Sequence, residues 1–183
     1  MRELSLNILD IAQNSISAGA SLITIEVNEN TVEHNLLIGI YDNGCGMSEE
    51  QVKSVIDPFF TTRTTRKVGM GIPLFKMAAE QTGGSLEIKS ELGVGTEIRA
   101  NFKTDSVDFT PLGDVAGTIQ MLITMNTDRD FVYKLKVDEK EFVCDTRELK
   151  NILGDVPLDT YEVSQWILEF IKENTDEIYG GAL

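Results

Sequence analysis

Apolar residues recur at three- and four-residue steps through Leu4, Leu6, Ile8, Leu9, Ile11, Ala12, Ile16 and Ala18. That spacing predicts an amphipathic helix, with Gly19 as its C-terminal cap. The period then changes to two. Residues 21–27 alternate and are rich in β-branched side chains, so they read as a strand, and the apolar run 36–40 reads as a buried one. The polar stretch 28–35 is expected to connect them, with the only histidine, His34, as a solvated turn residue. Ser48 and Gln51 have the spacing of a capping box, which opens a short helix ending near Ile56. Gly69, Met70 and Gly71 lead into a helix that runs to about Gln81. Two alternating segments, 85–90 and 96–102, then form a hairpin around a glycine-containing loop.

Beyond residue 103 the pattern is again α/β. Residues 104–110 read as a connector, and Asp114 is placed to cap a helix over 115–125. Residues 131–137 alternate as a strand, and 141–144 return after a turn. Asp145 with Glu148, and Asp159 with Glu162, each have capping-box spacing and predict two final helices. Val163, Trp166, Ile167, Phe170 and Ile171 fall on one face of the last helix and read as core. The division expected is 1–104 and an α/β extension over 105–183 whose role the residues do not reveal.

Composition narrows the function. The chain has 183 residues, 42% of them hydrophobic, and a formal net charge of -14. Such a surface repels phosphate backbones and anionic lipid, so neither nucleic acid nor membrane is an expected partner. No run approaches the roughly 20 apolar residues that span a bilayer, and the first residues lack the pattern of a signal peptide. Cys45 and Cys144 have no metal-ligand spacing and are expected to be reduced thiols of a cytoplasmic protein.

Candidate chemistry gathers in 41–47, Tyr-Asp-Asn-Gly-Cys-Gly-Met, directly after the buried strand. Asp42 stands at the strand end, where a carboxylate can accept from an amino group on a planar ring. Gly44 and Gly46 permit close backbone approach. Asp10 and Asn14 lie four apart, on one face of the first helix. Two readings are open for them: a solvated face, or a carboxylate that orients water beside an amide oxygen that holds a divalent cation. Residues 61–68 carry four threonines with Arg63, Arg66 and Lys67, the make-up of a lid that meets phosphates. The glycine turn before the helix at 71 exposes N–H groups suited to an anion.

Four ordered blocks resemble the histidine-kinase-like ATPase superfamily. They are the first helix with N-S-I-S-A-G-A, then Y-D-N-G-C-G-M, then D-P-F-F-T-T-R, and last the run from G-M-G-I-P-L to S-E-L-G-V-G-T-E-I. The resemblance covers residues 3–103 and implies an α+β fold, a two-layer α/β sandwich with a mixed, mainly antiparallel sheet. It also implies ATP and Mg²⁺ as ligands. Asn14 would hold Mg²⁺, and Asp42 would accept the adenine amino group, with a water shared by Thr96. Gly44, Gly46 and Met47 would admit the ring, while Phe59 and Phe60 anchor the lid that carries Lys67. Gly69, Met70 and Gly71 would line the triphosphate. Asp10 stands where hydrolysing members have a glutamate, one methylene longer, and Pro73 replaces a glycine usual in sensor kinases.

The function expected is an ATP–Mg²⁺-binding regulator, a kinase or ATPase acting on a partner protein yet to be identified. The alternative is a non-catalytic, nucleotide-gated module in a larger assembly. Self-phosphorylation is disfavoured, because no phosphoacceptor helix precedes residue 3 and His34 has the wrong setting. A DNA clamp is disfavoured by the charge. A homodimer is compatible with the sequence.

Overall fold

The computed structural model describes residues 3–57 and 70–181. Among these residues six strands form one mixed sheet in the order β3-β4-β2-β1-β5-β6. They are β1 (Leu22–Asn30), β2 (Asn35–Asp42), β3 (Ser85–Glu91), β4 (Gly95–Lys103), β5 (Asp130–Val137) and β6 (Lys140–Asp145). Every neighbouring pair is antiparallel except β1 with β5. The described helices are α1 (Leu4–Ser17), α2 (Glu49–Ile56), α3 (Gly71–Gln81), α4 (Val115–Met125), α5 (Thr146–Leu153) and α6 (Tyr161–Ile178).

Strand alternation sorts the side chains into two faces. Ile88, Ile98, Ile40, Ile25, Tyr133 and Cys144 stand opposite one another across all six strands, and this row faces the helices. Ile8 and Ile11 of α1, Phe75 of α3, Ile119 of α4 and Ile167 of α6 complete the core against it. The other face carries Glu26, Lys89, Glu97, Lys134 and Glu141 and stays open to water. There Tyr41 lies over Gly39 and donates from its hydroxyl to Glu26 Oε2 at 2.9 Å.

α1 has no side-chain cap at its start. Its first N–H groups need partners, and the connector supplies them. Leu4 N donates to the Pro111 carbonyl at 2.9 Å and Ser5 N to that of Leu112 at 2.8 Å. At the other end Arg129 Nη1 donates to the carbonyls of Ile16 and Ala20 at 3.1 and 2.8 Å. Residues beyond 104 thus close both ends of α1, and β5 extends the sheet beside β1.

Local expectations fare unevenly. The Ser48–Gln51 capping box is present, and Asp114 caps α4 by accepting from Gly117 N at 2.9 Å. Residues 28–30 and 35, expected in a connection, belong to strands. Their polar side chains suggest a turn, but the ladder to β2 and the parallel partner β5 keep the backbone paired as far as Asn30 and Glu29. His34 does sit in the tight turn that remains, at φ +52°. Asp145 caps α5 through Arg147 N at 2.9 Å and also pairs with the Arg147 guanidinium. Asp159 does not cap α6, which starts one residue later than expected with Thr160 at its N-cap. On α6, Val163, Ile167 and Ile171 are buried, whereas Trp166 is half-exposed and stacks on Phe170 with ring centroids 5.0 Å apart.

Candidate functional site

At one end of the helix-covered face the aliphatic rows give way to a polar one. Asp42, the last residue of β2, stands opposite Thr96 of β4, and Thr96 stands opposite Ser90 of β3. Residues directly opposite share a face, so three polar side chains line up where the core pattern would place apolar ones. Each needs hydrogen-bond partners there.

The sequence supplies them from four segments. Ser15 of α1, only 3% exposed, donates from its hydroxyl to Asp42 Oδ2 at 2.6 Å. Gly44 N donates to Asp42 Oδ1 at 2.9 Å. A carboxylate oxygen has two lone pairs, so each keeps one for another donor. Ser90 Oγ accepts from Met47 N at 2.8 Å, donates to the Gly95 carbonyl at 3.0 Å, and lies 2.8 Å from Thr96 Oγ1.

The loop after Asp42 is fastened residue by residue. Asn43 Oδ1 accepts from Ser21 N and Leu22 N at 2.9 and 3.0 Å. Cys45 N donates to the Ala18 carbonyl, and the Cys45 carbonyl accepts from Gly93 N. Gly46 has φ +69°, and a Cβ there would lie 1.9 Å from the Glu91 carbonyl oxygen. Gly95 has φ +147°, and its Cβ would lie 1.9 Å from that of Asp42. The chain's own packing therefore already demands glycine at 46 and 95, because the two loops interlock.

A second group lies on α1 and α3. Asp10 and Asn14 are exposed one turn apart on α1. Gly71 opens α3 against Asp10: a Cβ at 71 would sit 3.2 Å from Asp10 Cβ and 3.7 Å from Oδ2. Met70, the N-cap of α3, is exposed and gives no side-chain cap. The positive dipole end of an 11-residue helix thus begins beside Asp10. Asn14 and Ser15 are consecutive, so α1 links this group to the polar row.

Of the residues singled out in the sequence, Asp42, Thr96, Gly44, Gly46 and Met47 meet at the sheet end, and Asp10, Asn14, Met70 and Gly71 lie on α1 and at the start of α3. Phe59, Phe60, Lys67, Gly69 and the segment 61–68 fall outside the described residues. Sequence reasoning missed Ser15 and Ser90. Both carried a signal. Ser15 falls four residues after Ile11 on the apolar stripe, and Ser90 takes the inward position after Leu86 and Ile88. A polar residue on a buried period asks for a partner.

The free thiols differ in setting. Cys45 is exposed beside the polar row, whereas burial pushes Cys144 up to about 12. Among the described residues no helix is long and apolar enough to cross a membrane.

An α+β arrangement of this kind also occurs in the N-terminal domain of a DNA repair protein. That crystal structure superposes with a TM-score of 0.55 at 13% identity, covering 78% of this chain and 52% of that one. The Aquifex aeolicus MutL ATPase domain complexed with ADP aligns with 98% of this chain and 70% of that one, at a TM-score of 0.48 and 16% identity. Residues 1–106 match the model of the histidine kinase-, DNA gyrase B- and HSP90-like ATPases, and the chain belongs to that family. Sensor protein SrrB of Staphylococcus aureus is 38% identical over 101 residues, which are 52% of this chain and 17% of that protein. The chain spans less than a fifth of the length of the sensor proteins it matches.

Proposed function

We propose that this chain binds ATP with Mg²⁺ between the polar row and the start of α3, and that the nucleotide controls its action on a partner protein. The observation that carries the reading is Asp42, held on both oxygens by Ser15 and Gly44 yet keeping lone pairs at the sheet end. A fixed acceptor there suits the exocyclic amino group of adenine. The positive end of α3 suits the phosphates.

The donor set on α1 fits Mg²⁺, which is bound by one or two protein oxygens and completes its shell with phosphates and water. Asn14 would hold it through its amide oxygen, and Mg²⁺ would spread the phosphate charge. Asp10, one turn earlier, would orient the attacking water or hydroxyl. Transfer to a partner would then rest on positioning and charge stabilisation. Membership of the ATPase family supports nucleotide binding, and the likeness to a sensor protein supports a regulatory setting.

A non-catalytic, nucleotide-gated module is the second reading. It is favoured by Asp10, whose Cβ lies against the start of α3 and whose side chain is one methylene shorter than glutamate. Calorimetric titration tests binding. Asp42→Asn, which places an N–H where an acceptor is needed, should weaken ATP by about 100-fold or more, with the melting profile retained. Equal affinity in the two proteins would remove Asp42 from the site and end the reading. Turnover by wild type that Asp10→Ala abolishes supports the enzyme. Tight binding with no turnover in either supports the module.

A further inference from the structure

The turn from α1 into β1 is gripped from two sides. On one side stands the loop after Asp42, through Asn43 Oδ1 on Ser21 N and Leu22 N and through Cys45 N on the Ala18 carbonyl. On the other stands the link from α4 into β5. Arg129 Nη1 donates to the carbonyls of Ile16 and Ala20 at 3.1 and 2.8 Å, and Asp130 N donates to that of Ser21 at 2.8 Å. The last carbonyls of a helix lack partners within it, and a cation there also complements the dipole. α1 has no basic residue in its own last turn, and Arg129 supplies the charge from 113 positions further along the chain than Ile16. Arg129 is in turn held by α5. Lys150 Nζ donates to the Arg129 carbonyl at 3.2 Å and to Asp130 Oδ1 at 2.8 Å, and the buried Thr146 hydroxyl donates to the same oxygen at 3.0 Å.

We infer that Arg129 is a positioning residue of the nucleotide site: by capping α1 it holds the helix turn that sets Asn14 for the metal ion, and so makes the segment after residue 104 an integral part of that site. This rests on the nucleotide reading above. Asn14 stands in the last turn of α1, where its carbonyl accepts from Ala18 N at 2.9 Å. Its side chain is exposed, so its place follows the helix backbone. Ser15, the next residue, is anchored independently by its bond to Asp42. Without the arginine the carbonyls of Ile16 and Ala20 turn to water, and the last turn of α1 frays. Asn14 then loses its fixed place while the Ser15 bond still restrains its neighbour. The loss therefore falls on metal-assisted binding first.

The test is calorimetric titration of the full chain with ATP, once with Mg²⁺ and once with a chelator in its place. Arg129→Met keeps the apolar stem and removes the donors. It should lower affinity about tenfold with Mg²⁺ and about threefold at most without it. A structural role alone would reduce the folded fraction and weaken both titrations alike. Arg129→Lys, which keeps a charged donor, should recover part of the loss. Hydrogen exchange at the Ala18 amide, whose bond closes the last turn, should quicken in Arg129→Met. Lys150→Met reaches Arg129 only through its backbone and should show the same Mg²⁺-weighted loss, about threefold. It decides the matter if circular dichroism shows that Arg129→Met does not fold. Unchanged affinity, or an equal loss with and without Mg²⁺, in the deciding variant overturns the role of Arg129 while nucleotide binding stands. Wild type that binds ATP equally in the two conditions overturns it together with the role of Asn14. Failure of wild type to bind ATP in either condition ends the nucleotide reading and the inference with it.

Discussion

The two ends of the sheet each hold a carboxylate clasped by a hydroxyl at 2.6 Å, Ser15 on Asp42 at one end and Thr31 on Asp138 at the other. The bond is the same and the setting is opposite. Thr31 and Asp138 are exposed, and Asp138 also accepts from Thr31 N at 2.8 Å. Together these bonds tie the β1–β2 turn to the turn after β5. Water can serve any lone pair left over, so the tie has only a structural result. Ser15 is buried on a helix beneath the sheet and fixes Asp42 from within. The orientation of Asp42 is thus decided by the core, while its free lone pairs stay available at the sheet end. An acceptor held in place before its ligand arrives loses little freedom on binding. What separates a tie from a site is which partner the core owns.

Breaking the buried clasp should have the largest effect. Ser15→Ala removes a hydrogen bond to a carboxylate, a loss of about 1.5–3 kcal/mol, offset in part by the higher helix propensity of alanine. A net destabilisation of about 1–2 kcal/mol in urea unfolding is expected. ATP affinity should fall with it, because Asp42 is then free to turn. Unchanged affinity alongside lost stability would reduce the Ser15 bond to a second structural tie and erase the contrast between the two ends.

How far the contrast could be read beforehand depends on whether the signal was local. The order of helices and strands followed from period and capping, and Asp114 and Ser48 cap as their spacing predicts. Asp42, Thr96 and Gly71 were visible as residue types beside glycine turns. Their meeting was not, because register is set by pairings more than 50 residues apart, such as Asp42 with Thr96. Ser15 and Ser90 stood out only as polar residues on buried periods, and their partners were hidden for the same reason, since a serine shows its use only once its partner is placed. The parallel pairing of β1 with β5 left no local mark, so the closure of α1 by Arg129 and the connector could not be foreseen. Asp159 misled because a correct capping spacing occurs one residue too early, and Thr160 takes the place.

A smaller effect is expected where the far end is held by the last helix. Tyr179, at the C-terminus of α6, donates its hydroxyl to Glu29 Oε2 at 2.7 Å. Tyr179→Phe keeps the ring and should cost about 1 kcal/mol with nucleotide affinity unmoved. Burial, with the hydrogen bond and charge of Glu29 adding to it, holds this phenol well above its ordinary value of 10.0. A raised folded value stabilises fully below the unfolded one and is lost as pH rises. Wild type should therefore lose stability above pH 10 more steeply than Tyr179→Phe, in urea unfolding followed across that range. Tyr41, pushed up to about 12 by burial and then by Glu26, is common to both proteins and cancels in the comparison.

The smallest effect belongs to the exposed clasp, and its pH dependence makes it informative. The bond from the Thr31 hydroxyl, with that from its N–H, holds the Asp138 carboxyl below its ordinary 3.8. A depressed folded value stabilises above the unfolded one, and the contribution fades as pH falls through the folded value. Thr31→Val removes the hydroxyl donor and leaves the N–H. Lys136, Glu33 and Glu139 line the same groove and are unaltered by the change. Melting curves of the two proteins should differ slightly at neutral pH, wild type being the more stable, and the gap should close below pH 3.8, where Asp138 takes up its proton. A gap of equal size at both pH values would mean that the valine acts through packing of the turn, and the carboxylate at this end would no longer be a fair counterpart to Asp42.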